Sequence, residues 1–218
     1  MNTSAPPSLP SGLYGVCDDT VRPELPVPEQ AKAWLDGGAR VLQLRFKRTS
    51  TSEVLRQVRE TLCLTRAANA LCLVNDRVDW ALATGADGVH VGDEDLPCAD
   101  ARKLLGRQGI VGVTVRNFIQ AAQAKADGAT YVGFGPVFAT STKSVPAPVL
   151  GLERLAREVA AMWLPVIAIG GITLERMASV AHAGVHGAAV VSDVLLHAQP
   201  AERARHLQQA FNAARSKG

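Results

Sequence analysis

Short apolar runs rich in β-branched residues alternate along the chain with longer stretches in which apolar residues recur every three or four positions. Eight such runs each predict a buried strand, and they begin at Leu13, Val41, Leu71, Gly88, Ile110, Tyr131, Pro165 and Gly187. The stretches between them, such as residues 52–70 and 117–129, have the helical period. Glycines mark several predicted helix ends, at positions 38, 85, 128 and 184. Strand–helix alternation of this kind indicates a parallel sheet covered by helices.

Eight repeated units predict a single-domain α/β protein, a (β/α)8 TIM barrel, over residues 13–218, because such barrels need about 200 residues or more. Residues 1–12 read as a disordered lead-in that precedes this domain. A doubly wound open sheet is the alternative. It is disfavoured because the first run, which begins at Leu13, is not followed by the glycine-rich G-x-G-x-x-G turn typical of that fold.

The second run, residues 41–47 (VLQLRFK), alternates between apolar and polar side chains. Residues two apart share one face of a strand, so Leu42, Leu44 and Phe46 are expected to face the helices. Gln43, Arg45 and Lys47 are then expected to point inward, with the two cations near the C-terminal mouth where active sites of this fold lie. Two interpretations stay open: carboxylates on neighbouring strands pair with these cations, or the cations bind an anionic substrate.

Composition limits the classes of function. The chain has 218 residues and a formal net charge of +3, too small an excess to indicate a nucleic-acid partner. No apolar run reaches the roughly 20 residues of a membrane span, and the N-terminus lacks the features of a signal peptide. The four cysteines show neither zinc nor disulfide spacing, which predicts reduced thiols in a cytoplasmic protein.

Carboxylates follow the third and fourth runs. Asp76 and Asp95 are expected at the same rim of the barrel, where two carboxylates near substrate phosphates are a usual Mg²⁺ arrangement. Asp93 and Glu94 are expected to be solvated. For Asp95 the competing interpretation is a helix cap before the next helical stretch.

A second anion site is predicted on the opposite side of the mouth. The long loop after the sixth run carries Thr140, Thr142 and Lys143, which could close over an anion. The seventh and eighth runs end in residues that fit the phosphate site common in this fold, namely Gly170, Gly171, Val191 and Ser192. A tight turn with an N-cap serine is the competing interpretation. Two anion sites around one rim suit an enzyme that joins a diphosphate substrate to a monophosphate substrate.

Six segments in this order resemble the thiamine phosphate synthase family: QLRFK, NDRVDWALATGADGVHVGDEDLP, GVTVRN, YVGFGPVFATSTK, IAIGGI and AVVSDV. The resemblance covers about residues 13–196 and is most specific over residues 75–97. It implies a Mg²⁺-dependent transferase of thiamine biosynthesis. Such an enzyme condenses 4-amino-5-hydroxymethyl-2-methylpyrimidine diphosphate with a thiazole phosphate, with or without a carboxyl group, to give thiamine monophosphate and pyrophosphate.

The resemblance also implies roles for individual residues. The pyrimidine diphosphate would be held by Gln43, Arg45, Lys47 and Asn75, and Mg²⁺ by Asp76 and Asp95. Lys143 would reach the diphosphate, so that Arg45, Lys47 and Lys143 are the expected catalytic cations. The thiazole phosphate would be held by Thr140, Thr142, Gly171, Val191 and Ser192.

Three positions depart from the family pattern. Phe46 stands where the family usually has Glu, and it is expected to alter packing more than chemistry because it lies on the helix-facing side. Thr114 stands where Ser is usual and keeps a hydroxyl group for substrate binding. Arg116 stands near a common His and could add a phosphate contact.

Two alternative functions stay open at this point. One is a thiazole tautomerase, an isomerase with a related barrel that needs neither metal nor diphosphate cations. The other is a non-catalytic sensor of thiamine phosphate. The expected partners are small-molecule substrates, with no nucleic acid or membrane, and a homo-oligomer is left open.

Overall fold

The structure, a computed structural model, describes residues 8–140, 142 and 148–216. Its eight strands are β1 Gly12–Asp18, β2 Val41–Arg45, β3 Leu71–Asn75, β4 Gly88–Val91, β5 Ile110–Val115, β6 Tyr131–Phe134, β7 Val166–Ile169 and β8 Gly187–Val190. The helices among the described residues are α1 Val27–Asp36, α2 Thr51–Ala67, α3 Val78–Thr84, α4 Cys98–Leu105, α5 Phe118–Ala126, α6 Leu152–Ala161, α7 Leu174–His182, α8 Ser192–Leu195 and α9 Pro200–Arg215.

The strands close into a barrel in chain order, and every neighbouring pair is parallel. This confirms the predicted (β/α)8 fold: seven of the predicted strand runs contain an observed strand, and the first, predicted from Leu13, overlaps β1, which begins one residue earlier at Gly12. The glycines at 38, 85, 128 and 184 all have positive φ angles, as expected of residues that end helices. No helix within the described ranges is long and apolar enough to cross a membrane.

Two buried clusters fill the two sides of the sheet. The larger one lies between strands and helices and includes Trp34, Leu42 and Leu44. The smaller one consists of inward-facing strand residues together with Leu9, which precedes β1 and is buried. Alternate residues of each strand contribute to the two clusters. Because the outward positions pack against helices, polar side chains at the inward positions lie in the barrel interior or at its mouth.

Phe46 belongs to the outer cluster. It is 7% exposed and packs edge-on against Trp80 of α3, with ring centroids 6.4 Å apart. The prediction that Phe46 faces the helices is therefore confirmed. The departure from the family's usual glutamate replaces a charged group by an aromatic contact between β2 and α3.

Candidate active site

The inward face of β2 carries the predicted cations to the C-terminal mouth. Arg45 Nη1 donates to Asp18 Oδ2 at 2.6 Å, and β1 and β2 pair these two residues directly. Lys47 Nζ donates to Asp76 Oδ2 at 2.6 Å, immediately after the end of β3. Of the two interpretations left open for these cations, the structure shows pairing, because each of them contacts a carboxylate from a neighbouring strand end, and binding of an anion stays a prediction. Neither pair uses all the donors of its cation, so each cation keeps N–H groups for a further acceptor.

Asp76 and Asp95 converge on the same rim. Their side chains interact with each other. Asp76 has a positive φ of 64°, an αL conformation that Asp and Asn adopt more readily than most residues. Asp95 Oδ2 accepts a hydrogen bond from the backbone N–H of Gly92 at 2.7 Å, which fixes it within its own loop. Its interpretation as a helix cap is wrong, because α4 has Pro97 at its N-cap and no side-chain cap there.

The contact between these two carboxyl groups separates their pKa values. Burial raises the pKa of Asp95, and the neighbouring Asp76 raises it further. Burial alone would also raise the pKa of Asp76. The hydrogen bonds from Asp95 and Lys47 outweigh that effect and hold its pKa below the ordinary value. The contact thus favours the charged form of Asp76 and disfavours the charged form of Asp95.

A chain of hydrogen bonds crosses the barrel interior below the mouth. Gln43 Nε2 donates to the Tyr14 hydroxyl at 2.8 Å, and that hydroxyl lies 2.8 Å from the hydroxyl of Tyr131. His90 lies 3.0 Å from Tyr131 through Nδ1 and 3.0 Å from the Thr114 hydroxyl through Nε2. Burial raises the pKa of Tyr14 to about 12, so its hydroxyl stays protonated and can serve as a donor in this chain.

Two glycines make room for the rings of this chain. A Cβ at Gly112 would lie 2.1 Å from the Tyr131 ring, and a Cβ at Gly133 would lie 2.9 Å from the His90 ring. Larger residues at these strand positions would displace the rings. This series of hydrogen bonds thus depends on small residues in β5 and β6. It fixes the Gln43 amide at one end and the Thr114 hydroxyl at the other.

The loop after β6 packs against the turn after β7. The backbone N–H groups of Val137 and Phe138 donate to the carbonyls of Ile169 and Gly170 at 2.9 and 3.0 Å. Gly171 has a φ of 61°, and a Cβ there would lie 2.3 Å from the carbonyl oxygen of Ala139. This close approach brings the segment that leads to Thr140 against Gly171.

The hydroxyls of Thr140 and Thr142 lie 3.3 Å apart on the exposed side of the loop after β6. Lys143, predicted to reach the diphosphate, lies outside the described residues, as do residues 1–7 of the predicted lead-in.

The turn after β8 leads into the short helix α8. Val191 is its N-cap and Ser192 its first residue, so the competing interpretation of Ser192 as an N-cap is wrong. Asp193 follows, next to the predicted phosphate residues, and Arg203 of α9 pairs with it through Nε at 2.8 Å and Nη2 at 2.9 Å. This pairing compensates a negative charge that would otherwise oppose phosphate binding.

Arg116 and Asp93 form an exposed pair at the rim. Arg116 Nη2 donates to Asp93 Oδ2 at 3.3 Å. Asp93 is 54% exposed, in agreement with its predicted solvation, and its contact with Arg116 uses one nitrogen of that guanidinium.

Sequence reasoning missed four residues of this region: Asp18, Tyr14, Tyr131 and His90. The three aromatic residues sit in apolar runs, where they read as core. Tyr14 and Tyr131 are 117 positions apart, so only closure of the barrel brings their hydroxyls together. The adjacent acids Asp18 and Asp19 at the end of the first run were the one signal that could have pointed to Asp18.

A closed parallel barrel whose C-terminal mouth combines cations with converging carboxylates is the arrangement of a (β/α)8 enzyme that acts on small molecules. The family model described as thiamine monophosphate synthase matches residues 13–194, and the chain belongs to this family. The chain is accordingly a transferase of thiamine biosynthesis.

The relatives agree with this assignment. The chain is 56% identical to a thiamine-phosphate synthase of Myxococcus xanthus, over 99% of both chains. It is 48% identical to the thiamine-phosphate synthase of Anaeromyxobacter dehalogenans, over 86% of this chain and 84% of that one. The solved thiamine phosphate pyrophosphorylase of Pyrococcus furiosus superposes with a TM-score of 0.85 at 36% identity, over 93% and 96% of the two chains.

A more distant structure, a 3-hexulose-6-phosphate synthase, matches with a TM-score of 0.68 at 18% identity and shows the fold alone. The alternative functions, thiazole tautomerase and non-catalytic sensor, are not favoured, because the relatives with high identity are named as synthases.

Proposed function

We propose that the chain condenses a pyrimidine methyl diphosphate with a thiazole phosphate to give thiamine monophosphate and pyrophosphate. The observation that carries this proposal is the convergence of Lys47, Asp76 and Asp95 at the mouth, beside Arg45 on the same face of β2. A diphosphate needs cations on several oxygens, and this side of the mouth supplies them.

Mg²⁺ fits the Asp76–Asp95 pair. No group of three or more potential protein ligands is found in the part of the chain that the structure describes. A site with two carboxylates suits a cation that completes its shell with water and phosphate oxygens, as Mg²⁺ commonly does. The raised pKa of Asp95 supports this fit, because two carboxyl groups in contact favour a cation between them. Mg²⁺, when bound, would offset negative charge on the diphosphate oxygens.

The chain's own residues would stabilise the departing diphosphate. Arg45 and Lys47 would offer positive charge to its oxygens while the C–O bond to the pyrimidine methylene breaks, and the family resemblance assigns the same role to Lys143. The thiazole nitrogen supplies its lone pair to the same carbon, so one C–O bond is replaced by one C–N bond. No residue has to remove a proton from that nitrogen. The barrel mouth would keep water away from the electron-poor carbon.

The remaining assignments divide the substrates between two sides of the mouth. Gln43, Asn75 and Thr114 would contact the pyrimidine half, and the hydrogen-bonded chain through Tyr14, Tyr131 and His90 would hold Gln43 and Thr114 in place. The thiazole phosphate would be held by Thr140, Thr142, Gly171, Val191 and Ser192. Contacts between the β6 loop and the β7 turn support this grouping.

Small-molecule substrates follow from the proposed reaction. The cytoplasmic location and the oligomeric state stay predictions. The domain boundary at residue 13, with residues 1–12 as a disordered lead-in, also stays a prediction.

The test is turnover of both substrates by the purified chain. With Mg²⁺ present, we expect thiamine monophosphate and pyrophosphate to form in equal amounts, measured by thiochrome fluorescence and a pyrophosphate assay. Omission of either substrate should abolish both signals. Isomerisation of the thiazole phosphate without product formation would contradict the proposal and favour the tautomerase. Binding without any conversion would favour the sensor.

A further inference from the structure

Asp18 lies at the end of β1 and contacts Arg45 of the adjacent strand. We propose that Asp18 is a positioning residue that fixes the guanidinium of Arg45 for diphosphate binding. The inference rests on the proposed role of Arg45 in holding the diphosphate.

Both carboxylate oxygens of Asp18 are engaged, and its side chain is fully buried. Oδ1 accepts hydrogen bonds from the backbone N–H of Thr20 at 2.7 Å, from the Thr20 hydroxyl at 2.6 Å and from the Val21 N–H at 3.3 Å. Oδ2 accepts from Arg45 Nη1 at 2.6 Å. A carboxylate held this way has one defined orientation, and the arginine it contacts inherits that orientation.

The backbone around Asp18 is fixed as well. Gln30 of α1 is fully buried, and its Oε1 accepts from the N–H of Asp18 at 2.8 Å. Its Nε2 donates to the carbonyls of Asp18 at 3.2 Å, Arg22 at 3.3 Å and Leu25 at 2.8 Å. One buried amide thus ties the whole β1–α1 loop to α1. Asp18 therefore cannot shift with Arg45, and any displacement of Arg45 must break their contact.

The contact leaves much of the guanidinium available. Within the described residues, Arg45 donates only through Nη1, to Asp18 and more weakly to the Thr20 hydroxyl at 3.5 Å. Its Nε and Nη2 keep N–H groups that could bind a phosphate in the paired geometry that arginine favours. The side chain is 18% exposed, so the remaining donors are close to the surface of the mouth.

Two effects of Asp18 oppose each other. Its charge competes with a phosphate for Arg45, which would weaken diphosphate binding. The rigidity of Asp18 keeps the Arg45 side chain ordered before the substrate binds. This lowers the entropic cost of binding and would strengthen diphosphate binding. Because every oxygen of Asp18 is anchored and only one nitrogen of Arg45 is used, we infer that the second effect dominates.

The test compares Asp18→Asn, Arg45→Ala and the double variant. Binding of pyrophosphate is measured by calorimetry at fixed Mg²⁺, with Tm as a check of folding. We expect Asp18→Asn to raise the pyrophosphate Kd and the KM for the pyrimidine diphosphate by about tenfold, because a misplaced binding group has effects of that order or larger. The KM for the thiazole phosphate should stay unchanged. In the Arg45→Ala background, Asp18→Asn should have almost no further effect on the pyrophosphate Kd.

Asp100→Asn is the matched control, because Asp100 is an exposed carboxylate on α4 that pairs with Lys103. An unchanged or lower pyrophosphate Kd in Asp18→Asn, or independent effects in the double variant, would overturn the inference. If Asp18→Asn does not fold, Thr20→Val decides, because it removes one hydrogen bond to Asp18 from an exposed residue. A rise of the pyrophosphate Kd in Thr20→Val, smaller than the tenfold expected for Asp18→Asn, supports the inference. An unchanged pyrophosphate Kd overturns it.

Failure of the proposed reaction would be recognised separately. It would show as an absence of turnover in the unmodified chain, whereas the pyrophosphate Kd does not depend on turnover.

Discussion

Lys47 Nζ lies 2.6 Å from Oδ2 of Asp76, and Asp76 in turn contacts Asp95. One carboxylate is therefore shared between a cation that follows β2 and a second acid from the loop after β4. A diphosphate that enters the mouth would meet Lys47 already directed toward the carboxylate pair. The cation and the acids form one electrostatic unit, and changes at any of the three should be felt by the others.

Removal of Lys47 tests whether this unit serves binding or folding. The Lys47 side chain is 44% exposed, and ion pairs of that kind contribute about 0–1 kcal/mol to stability. We expect Lys47→Ala to fold with Tm within a few degrees of the parent chain and to raise the KM for the pyrimidine diphosphate. Tm is measured by calorimetry and KM by steady-state kinetics. An unfolded variant would instead support a structural ion pair.

Asparagine at Asp76 or Asp95 tests the carboxylate pair with little change in shape. Asn tolerates the positive φ of Asp76, so the backbone should be preserved. We expect kcat to fall by roughly 10²-fold or more in each variant, because a site with one carboxylate fewer would hold less tightly the Mg²⁺ that offsets charge on the departing diphosphate. The circular dichroism spectra of both variants should match that of the parent chain. In a Mg²⁺ titration, the activity of each variant should depend less strongly on the Mg²⁺ concentration.

The control for these two variants is Asp79→Asn, which removes an exposed acid paired with Arg77. It should keep near-normal turnover. Near-normal turnover in Asp76→Asn or Asp95→Asn would contradict the Mg²⁺ assignment.

The sequence predicted the barrel and the orientation of β2 because both follow from local periodicity. Alternation in residues 41–47 distinguishes the two faces of one strand, and the observed contact of Phe46 with Trp80 follows from it. The glycines at 38, 85, 128 and 184, all with positive φ, were likewise visible as helix stops. The groups predicted at the ends of different strands could be assigned to one rim because parallel strands share their direction.

The partners of those groups could not be predicted from one sequence. The contact of Arg45 with Asp18 depends on the register between β1 and β2, which periodicity does not fix. The chain through Tyr14 and Tyr131 depends on closure of the barrel, and hydroxyl groups within apolar runs give no separate signal. The role of Asp95 was ambiguous because a carboxylate before a helix is typical of both a cap and a ligand.

Truncation of Phe46 should separate packing from chemistry. Phe46 is buried against Trp80, and Phe→Ala changes in cores cost about 3–5 kcal/mol. We expect Phe46→Ala to lower the free energy of unfolding by roughly that amount, measured with urea at low temperature. Under conditions where the variant is folded, both KM values should match those of the parent chain. Phe46→Leu is the milder control. A selective rise in the KM for the pyrimidine diphosphate would indicate a role in the mouth.

Asp19 should make stability depend on pH in the acid range. Its carboxylate accepts hydrogen bonds from the backbone N–H groups of Lys47, Arg48 and Thr49 and from the Thr49 hydroxyl, at 2.8–3.0 Å. Burial alone would raise the pKa of Asp19, but these bonds outweigh it and lower the pKa below the ordinary 3.8. A group with a depressed pKa in the folded state stabilises the fold above its unfolded pKa and loses that contribution as the pH falls through the folded value.

The parent chain should therefore be more stable than Asp19→Asn at neutral pH, and the difference should shrink below about pH 3.8. The measurement is the difference in Tm between the two proteins from pH 7 to pH 3, in which the effects of the other carboxylates largely cancel. A difference that stays constant over this range would show that the Asp19 charge does not hold the loop of residues 47–49.

Gly171 should control the thiazole phosphate side of the mouth. A Cβ at this position would lie 2.3 Å from the Ala139 carbonyl oxygen, so Gly171→Ala must displace the segment that leads to Thr140. Gly184→Ala is the matched control, because Gly184 also has a positive φ but its Cβ would meet only a side chain at 3.7 Å. Both variants carry a backbone strain of about 1–2 kcal/mol. We expect only Gly171→Ala to raise the KM for the thiazole phosphate, by about tenfold, while the KM for the pyrimidine diphosphate changes little. Equal KM values in the two variants would mean that the contact between the β6 loop and the β7 turn does not shape the phosphate site.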